Sequence, residues 1–116
     1  MHPEDCPVKS ALDVIGGKWK PSILRELKDQ PRRFGELRRA LPGVRHKVLT
    51  EQLRQLEQEG ILSHTVLPGK IVQSEYRLTP YGETLRPALN ALAEWGITHR
   101  ERAAAHGQEE HALVLS

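Results

Sequence analysis

Basic and hydrogen-bonding side chains are concentrated at the start of one stretch, residues 44–60. These candidate groups are Arg45, His46, Lys47, Thr50 and Arg54. In the major groove of DNA, Arg and Lys pair with guanine O6 and N7, and Thr contacts the thymine methyl group, while cations also bind phosphate. These residue types within three helical turns are the chemistry expected of a DNA recognition helix.

The same stretch has the periodicity of a helix. Leu49, Leu53 and Leu56 are spaced by four and three residues, which places them on one apolar face. The cations come first and the acids, Glu57 and Glu59, come last, which is the reverse of the order that the helix dipole favours. This reversal favours an anionic partner at the helix start. An ordinary amphipathic surface helix is the alternative for this stretch taken alone.

Charge along the whole chain supports an anionic partner. The 116 residues, 38% of them hydrophobic, are enough for one domain with a modest core. Residues 18–54 carry 11 Lys/Arg and 4 Asp/Glu, whereas the segments on both sides are acidic. A central basic block within a chain of net charge +2 predicts one localised surface for a polyanion.

Membrane and secreted classes are not indicated. No stretch approaches the roughly 20 apolar residues that span a bilayer, and no secretory signal is predicted. The single cysteine, Cys6, rules out a disulfide within the chain and is typical of a protein of the reducing cytoplasm.

Catalytic, metal and cofactor sites are not predicted either. The chain has no Ser/His/Asp arrangement, no glycine-rich phosphate loop and no paired carboxylates. His99, His106 and His111 have spacings of seven and five, which fit no standard metal-binding pair. The expectation is a protein that is not an enzyme and needs neither a metal nor a cofactor.

The stretch before residue 44 predicts three shorter helices. They span about residues 6–15, 20–28 and 34–41, and the turn Pro42-Gly43 separates the third from the recognition helix. Two helices joined by a tight turn, the second basic at its start, form a helix-turn-helix. Arg38 and Arg39 on the first helix of the pair are expected near DNA phosphates.

After Gly60 the pattern changes to β-structure. Residues 61–67 and 71–78 predict two strands, joined by a Pro-Gly turn with Lys70 at its tip. A hairpin directly after a recognition helix is the wing of a winged helix, and Lys70 could reach phosphate or the minor groove. A hairpin that only covers the core is the other interpretation, and the two are compatible.

A C-terminal helix is predicted from Thr79-Pro80 to between Arg102 and Ala105, with a kink near Pro87. It is too long and apolar for so small a domain, so we expect a two-fold homodimer built from it and the N-terminal helix. The predicted interface residues are Val8, Leu12, Leu89, Leu92 and Trp95. The predicted organisation is a flexible N-terminus (1–5), a winged-helix domain with its dimerisation helices (6–105) and a disordered tail (106–116).

Several separated motifs, covering about residues 6–99, resemble the HxlR-type transcriptional regulators. They are Cys6-Pro7-Val8, Ile15-Gly16-Gly17-Lys18-Trp19, Arg33-Phe34-Gly35-Glu36-Leu37-Arg38, Leu49-Thr50-Glu51-Gln52-Leu53, Glu75-Tyr76-Arg77-Leu78-Thr79 and Glu94-Trp95-Gly96. The resemblance implies a mainly α winged helix-turn-helix with a small β-hairpin and with N- and C-terminal dimerisation helices. It also implies a homodimeric, sequence-specific DNA-binding regulator, which we expect to be a repressor. A symmetric dimer is expected to read an inverted repeat in double-stranded DNA, with half-sites about one helical turn, roughly 34 Å, apart.

Transferred position by position, the resemblance implies that His46, Lys47, Thr50 and Arg54 face bases or phosphates. His46 is a departure, since many relatives carry a small hydroxyl residue there; this difference affects the operator sequence and not the mode of binding. A small-molecule or oxidant inducer is also compatible with the family.

Some HxlR-type proteins resemble redox or electrophile sensors with a cysteine at the position of Cys6. A helix start and the nearby Lys9 favour the reactive thiolate, whereas Glu4 and Asp5 oppose it. The alternative is an apolar cysteine packed in the dimer interface.

A winged helix can also dock a protein or RNA, since fold alone does not define function. Protein docking would require an apolar patch on the recognition helix, where this chain has Arg45, Lys47 and Arg54. RNA binding would require exposed stacking aromatics, and the basic region offers only Trp19 and Phe34, both at core spacing.

Overall fold

The computed structural model of the chain describes the backbone of residues 6–115 and the side chains of residues 6–107. In chain order its elements are α1 (Pro7–Ile15), α2 (Lys20–Leu27), β1 (Arg32–Arg33), α3 (Phe34–Ala40), α4 (His46–Gln58), β2 (Leu62–Leu67), β3 (Gln73–Leu78), α5 (Pro80–Glu83) and α6 (Arg86–Leu115). The chain divides between Thr84 and Leu85 into one unit with α1 to α5 and the sheet, and a second unit with α6. The predicted flexible N-terminus, residues 1–5, lies outside the described residues.

Aliphatic side chains from α2, α3 and α4 form the core of the first unit. The predicted apolar face of α4 is confirmed, because Leu49, Leu53 and Leu56 are all at most 1% exposed. The other buried hydrophobic residues are Ile15, Ile23, Leu24, Leu27, Leu37, Leu41, Val44, Ile61, Leu62, Tyr76 and Leu78. α4 is therefore held along its back, and its opposite face is left to solvent.

The wing has one strand more than predicted. β2 pairs antiparallel with β3, with Leu62 opposite Leu78, and β1 adds to the other edge of β3, with Arg32 opposite Tyr76. Two consecutive arginines do not indicate a strand, since β-branched and aromatic residues are the ones enriched there. The pairing of β1 connects the start of α3 directly to the wing.

The C-terminal helix, predicted to kink near Pro87, is instead interrupted just before it, at residues 84–85. In a continuous helix residue 87 would donate its backbone N–H to the Glu83 carbonyl, and proline has none. α5 instead ends at Glu83, and α6 begins at Arg86 with Pro87 in its first turn, where proline is tolerated. The first backbone bond of α6 runs from the Leu89 N–H to the Leu85 carbonyl at 2.9 Å.

The predicted helix end between Arg102 and Ala105 is wrong. α6 continues to Leu115, so the backbone beyond residue 105 is helical where the sequence pattern predicts a disordered tail. The sequence after residue 105 has no regular apolar spacing, which explains why periodicity does not indicate the continuation.

The fold class is the predicted one. The molecule is mainly helical with a small antiparallel sheet, and α3, the turn at residues 41–45, α4 and the β2–β3 hairpin form a winged helix-turn-helix.

Candidate nucleic-acid interface

The turn before α4 determines where the helix begins. Gly43 adopts a positive φ of 86°, which glycine tolerates best, and the Val44 N–H donates to the Leu41 carbonyl at 3.1 Å. Leu41 and Val44 are both buried, so they anchor the turn on the core. α4 consequently leaves the turn with its first residues exposed.

The leading end of α4, residues 45–50, carries the predicted base-reading groups. Arg45 is the N-cap in extended conformation, one residue before the helix, and its carbonyl accepts the Leu49 N–H at 3.0 Å. Arg45 and Lys47 are exposed, and none of the ion pairs among the described residues involves either. Both charges are therefore available to an external anion.

His46 and Thr50 are constrained by neighbours. The Thr50 hydroxyl donates to the His46 carbonyl at 2.8 Å, which leaves its methyl group and oxygen lone pairs for other contacts. The His46 ring lies 4.7 Å, centroid to centroid, from the ring of Phe34 at 51°. The spacing of Phe34 predicts only a core residue; the side chain is half-buried and also positions His46.

Arg54 lies on the same helix but is paired. Its Nη2 donates to Glu51 Oε1 at 2.8 Å and its Nε to Glu51 Oε2 at 3.1 Å. These bonds, with a third from Gln55, lower the pKa of the Glu51 carboxyl, and Glu51 in turn raises the pKa of Arg54. The predicted phosphate contact would therefore use a guanidinium whose charge is already partly neutralised.

The remaining predicted cations lie on α3 and in the wing. Arg38 and Arg39, in the last turn of α3, and Lys70, in the β2–β3 connection, are exposed. None of them takes part in an ion pair between described residues. Ile71 and Val72, next to Lys70, are 73% and 76% exposed. The alternation of apolar and polar residues in the predicted strand 71–78 does not indicate that these two side chains are exposed beside Lys70.

The trailing end of α4, residues 51–58, is tied to the wing. His64 Nδ1 on β2 lies 2.6 Å from Glu57 Oε1, and the His64 ring packs 5.3 Å from the ring of Tyr76 on β3. Burial, followed by the charge of Glu57, raises the pKa of the Tyr76 phenol. At the base of the wing Gly82 approaches the Ile61 carbonyl so closely that a Cβ would overlap it.

The predicted sensor residue lies at the start of α1, and the predicted interface residues lie on α1 and α6. Cys6 is the half-buried N-cap of α1, and Lys9 Nζ is paired with Asp13 at 3.2 Å, so its charge is partly used. On α1, Val8 and Leu12 are exposed. On α6, Leu92 and Trp95 are exposed and Leu89 is half-buried, with the Trp95 ring stacked on His99 at 5.1 Å.

Neither a metal site nor a membrane span is found among the described residues. No group of three or more His, Cys, Asp or Glu side chains in this part of the chain could hold a metal ion. No helix within the same residues is long and apolar enough to cross a membrane.

The apolar face of α4 is buried, its basic N-terminal residues are exposed, and a hairpin wing follows it. This combination defines a DNA-binding helix-turn-helix protein. The model of the HxlR-like helix-turn-helix family matches residues 14–104, and the chain belongs to this family. It is thus a DNA-binding helix-turn-helix transcriptional regulator and not an enzyme.

Known relatives agree with this assignment. The chain is 40% identical over 99 residues to the uncharacterized HTH-type transcriptional regulator YdeP of Bacillus subtilis (strain 168), covering 85% of this chain and 77% of YdeP. Among solved structures, the reduced form of the redox regulator HypR is similar with a TM-score of 0.81 and 40% identity, covering 86% of this chain and 99% of HypR. The reduced form of the transcriptional regulator YodB from B. subtilis has a TM-score of 0.68 and 34% identity, covering 82% and 90%.

Proposed function

We propose that the protein is a sequence-specific repressor that binds an inverted repeat in double-stranded DNA as a homodimer. The observation that supports this most strongly is the leading end of α4, a helix whose opposite face is buried. Arg45 and Lys47 are exposed there, and neither forms an ion pair with another described residue. The helix dipole disfavours cations at a helix start, and an approaching polyanion compensates for that cost.

In this proposal α4 enters the major groove. Arg45 or Lys47 pairs with guanine O6 and N7, and the Thr50 methyl group contacts a thymine methyl. His46 faces the same groove, and Arg54 contacts phosphate through the part of its guanidinium that Glu51 leaves available. The DNA backbone on either side of α4 is contacted by Arg38, Arg39 and Lys70. These contacts position the helix but do not read the base sequence.

Apolar surface on two helices supports the homodimer. Val8 and Trp95 are 66% and 67% exposed in the single chain, and Leu12 and Leu92 are also exposed. Exposed apolar side chains of this size on the first and last helices are characteristic of surfaces that a partner covers. A two-fold dimer would place two α4 helices about one turn of DNA apart, roughly 34 Å.

Selection of bound sequences from a random duplex pool tests this proposal. We expect enrichment of an inverted repeat with two half-sites, and a gel shift of the selected duplex that weakens as salt rises. A matched single-stranded RNA and a scrambled duplex serve as controls. Recovery of no common sequence, or stronger binding to the RNA, would contradict the proposal and favour a docking or RNA-binding module.

We further propose that oxidation of Cys6 controls DNA binding in the cytoplasm. Support comes from the position of this half-buried thiol at the start of α1 and from relatives described as redox regulators, such as HypR. Diamide would remove two electrons and two protons from the Cys6 thiols of two chains, forming one intermolecular disulfide while diamide becomes a hydrazine. We expect diamide to change the operator affinity of the parent protein but not of Cys6→Ser; an unchanged parent would exclude this control.

A further inference from the structure

A groove lies beside the leading end of α4, between the start of α3 and strand β3. Its volume is about 550 Å³, which falls within the range of small-molecule sites, roughly 300–1,000 Å³. All of its walls belong to the first unit of the chain. The chemistry of these walls determines which class of ligand the groove would accept.

Aromatic side chains line one part of the groove. The Phe34 and His46 rings lie 4.7 Å apart, and the buried Tyr76 also belongs to the lining. Val72, 76% exposed, contributes an aliphatic surface from the wing side. A flat aromatic ring can pack on such surfaces by offset or edge-to-face contacts.

Cationic side chains line another part of the same groove. Arg33 and Arg39 both belong to the lining, and Arg39 Nη1 lies 3.5 Å from the position that a Cβ on the lining residue Gly35 would take. No ion pair among the described residues involves either arginine. The carboxylate in the lining is Glu36, whose Oε1 already accepts the Arg33 backbone N–H at 2.8 Å. A guanidinium that forms no ion pair within the protein is suited to bidentate pairing with a carboxylate.

We propose that this groove binds a small aromatic carboxylate that competes with DNA. The ring would pack against Phe34, His46 and Val72, and the carboxylate would pair with Arg39. Because His46 and Thr50 both line the groove and belong to the leading end of α4, a bound ligand covers groups that DNA needs. The competition, but not the binding of the ligand, rests on the proposed function.

Calorimetric titration of the full chain with 2-naphthoate, without DNA, tests the site. We expect saturable binding to the parent protein and no binding of the uncharged 2-naphthalenemethanol. Arg39→Gln should weaken naphthoate binding about tenfold or more, since it removes a charge-assisted hydrogen bond. Arg38→Gln is the matched control, because Arg38 is exposed on the same helix turn but lies outside the lining, and its affinity for naphthoate should equal that of the parent.

Val72→Asp gives an independent check, since it places a negative charge in the groove at a position that is 76% exposed. It should weaken naphthoate binding while the circular dichroism spectrum stays unchanged. Equal naphthoate binding by the parent, Arg39→Gln and Val72→Asp, or no binding to the parent, would overturn the proposal.

DNA competition is measured separately by adding 2-naphthoate to the shifted duplex. We expect release of the duplex at the naphthoate concentrations that saturate the protein. A protein that shifts DNA but does not bind naphthoate contradicts only this inference, and a groove that accepts only DNA phosphate would give that result. A protein that binds naphthoate but shifts no duplex contradicts the proposed function instead.

Discussion

The two ends of α4 use their charges in opposite ways. At the leading end, residues 45–50, Arg45 and Lys47 are exposed and belong to none of the ion pairs of the described chain. At the trailing end, residues 51–58, Arg54 is bound by Glu51 through two hydrogen bonds and Glu57 contacts His64 on the wing. One end keeps its charges for a partner, and the other uses them within the protein.

This difference shows that a count of basic residues does not locate a binding surface. An exposed pair such as Arg54 with Glu51 contributes little to stability, about 0–1 kcal/mol, but it cancels a charge and restricts the guanidinium. The cations at the leading end keep their charge, but they cost stability because they lie where the helix dipole is unfavourable. We therefore expect binding energy to come mainly from the leading end and rigidity from the trailing end.

The largest effect is expected on stability, when a side chain is removed from the buried apolar face that both ends of α4 share. Leu53→Ala removes a fully buried side chain and should lower the free energy of unfolding by about 3–5 kcal/mol, as truncation of buried leucines does. Chemical denaturation measures this change. Val48→Ala, on the exposed side of α4 at 36% exposure, should change stability by no more than about 0.5 kcal/mol, and an equal loss in both variants would contradict the assigned orientation of α4.

Next in size is the loss of DNA binding when the leading end is neutralised. Replacing Arg45 and Lys47 together with Ala should weaken binding to the selected duplex about 30-fold or more, since each base-reading interaction is worth roughly 1–3 kcal/mol. Gel shifts at two salt concentrations measure the affinity. Arg25→Ala removes an exposed cation on α2 that is paired with Glu26, and it should leave the affinity unchanged.

A change of Lys47 alone should act on sequence preference. Lys47→Ala is expected to relax discrimination at one base pair per half-site, by about 1–3 kcal/mol, because the Lys47 ammonium group is proposed to bind a base edge. Repeating the duplex selection with this variant measures the preference. A uniform decrease in affinity with unchanged preference would move Lys47 from base reading to phosphate binding.

Local periodicity explains why the fold and α4 were predictable from the sequence. The spacing of Leu49, Leu53 and Leu56, the Pro42-Gly43 turn and the strand pattern after residue 60 are short-range signals, and each predicted its element correctly. The short strand β1 carries no such signal. Its two arginines pair with Tyr76 and Glu75, which lie more than forty residues further along the chain.

The detailed surface was less predictable, for two physical reasons. The contact of Phe34 with His46 and the groove beside it join residues from separate elements, so no local pattern encodes them. The pairing of Arg54 with Glu51 does have a local signal, a carboxylate three residues before an arginine on one helix. Residue type and spacing alone predict Arg54 as a phosphate-binding cation. Because it is paired with Glu51, we expect a smaller contribution from it to DNA binding.

A smaller effect is therefore expected at the trailing end. Arg54→Ala should weaken duplex binding by less than about tenfold and lower the salt slope by less than the roughly one unit of a full phosphate contact. Glu51→Gln removes the competing carboxylate and should raise that slope, because the Arg54 guanidinium regains its full charge. Salt titrations of both variants measure this, and a decrease in affinity for Arg54→Ala as large as that for Lys47→Ala would remove the distinction between the two ends.

The smallest effect concerns the pH at which the trailing pair separates. Hydrogen bonds from Arg54, then from Gln55, hold the pKa of Glu51 below its ordinary value of 4.5. Since this pKa is depressed in the folded protein, the pair is complete above the unfolded value and is lost as pH falls through the lower folded value. An NMR titration of the Glu51 carboxyl should show its midpoint rising towards 4.5 in Arg54→Ala but not in Arg38→Ala, which removes an exposed α3 cation that does not contribute to the pKa shift of Glu51. An identical midpoint in all three proteins would show that the pairing of Arg54 with Glu51 does not persist in solution, and both ends of α4 would then offer free cations to DNA.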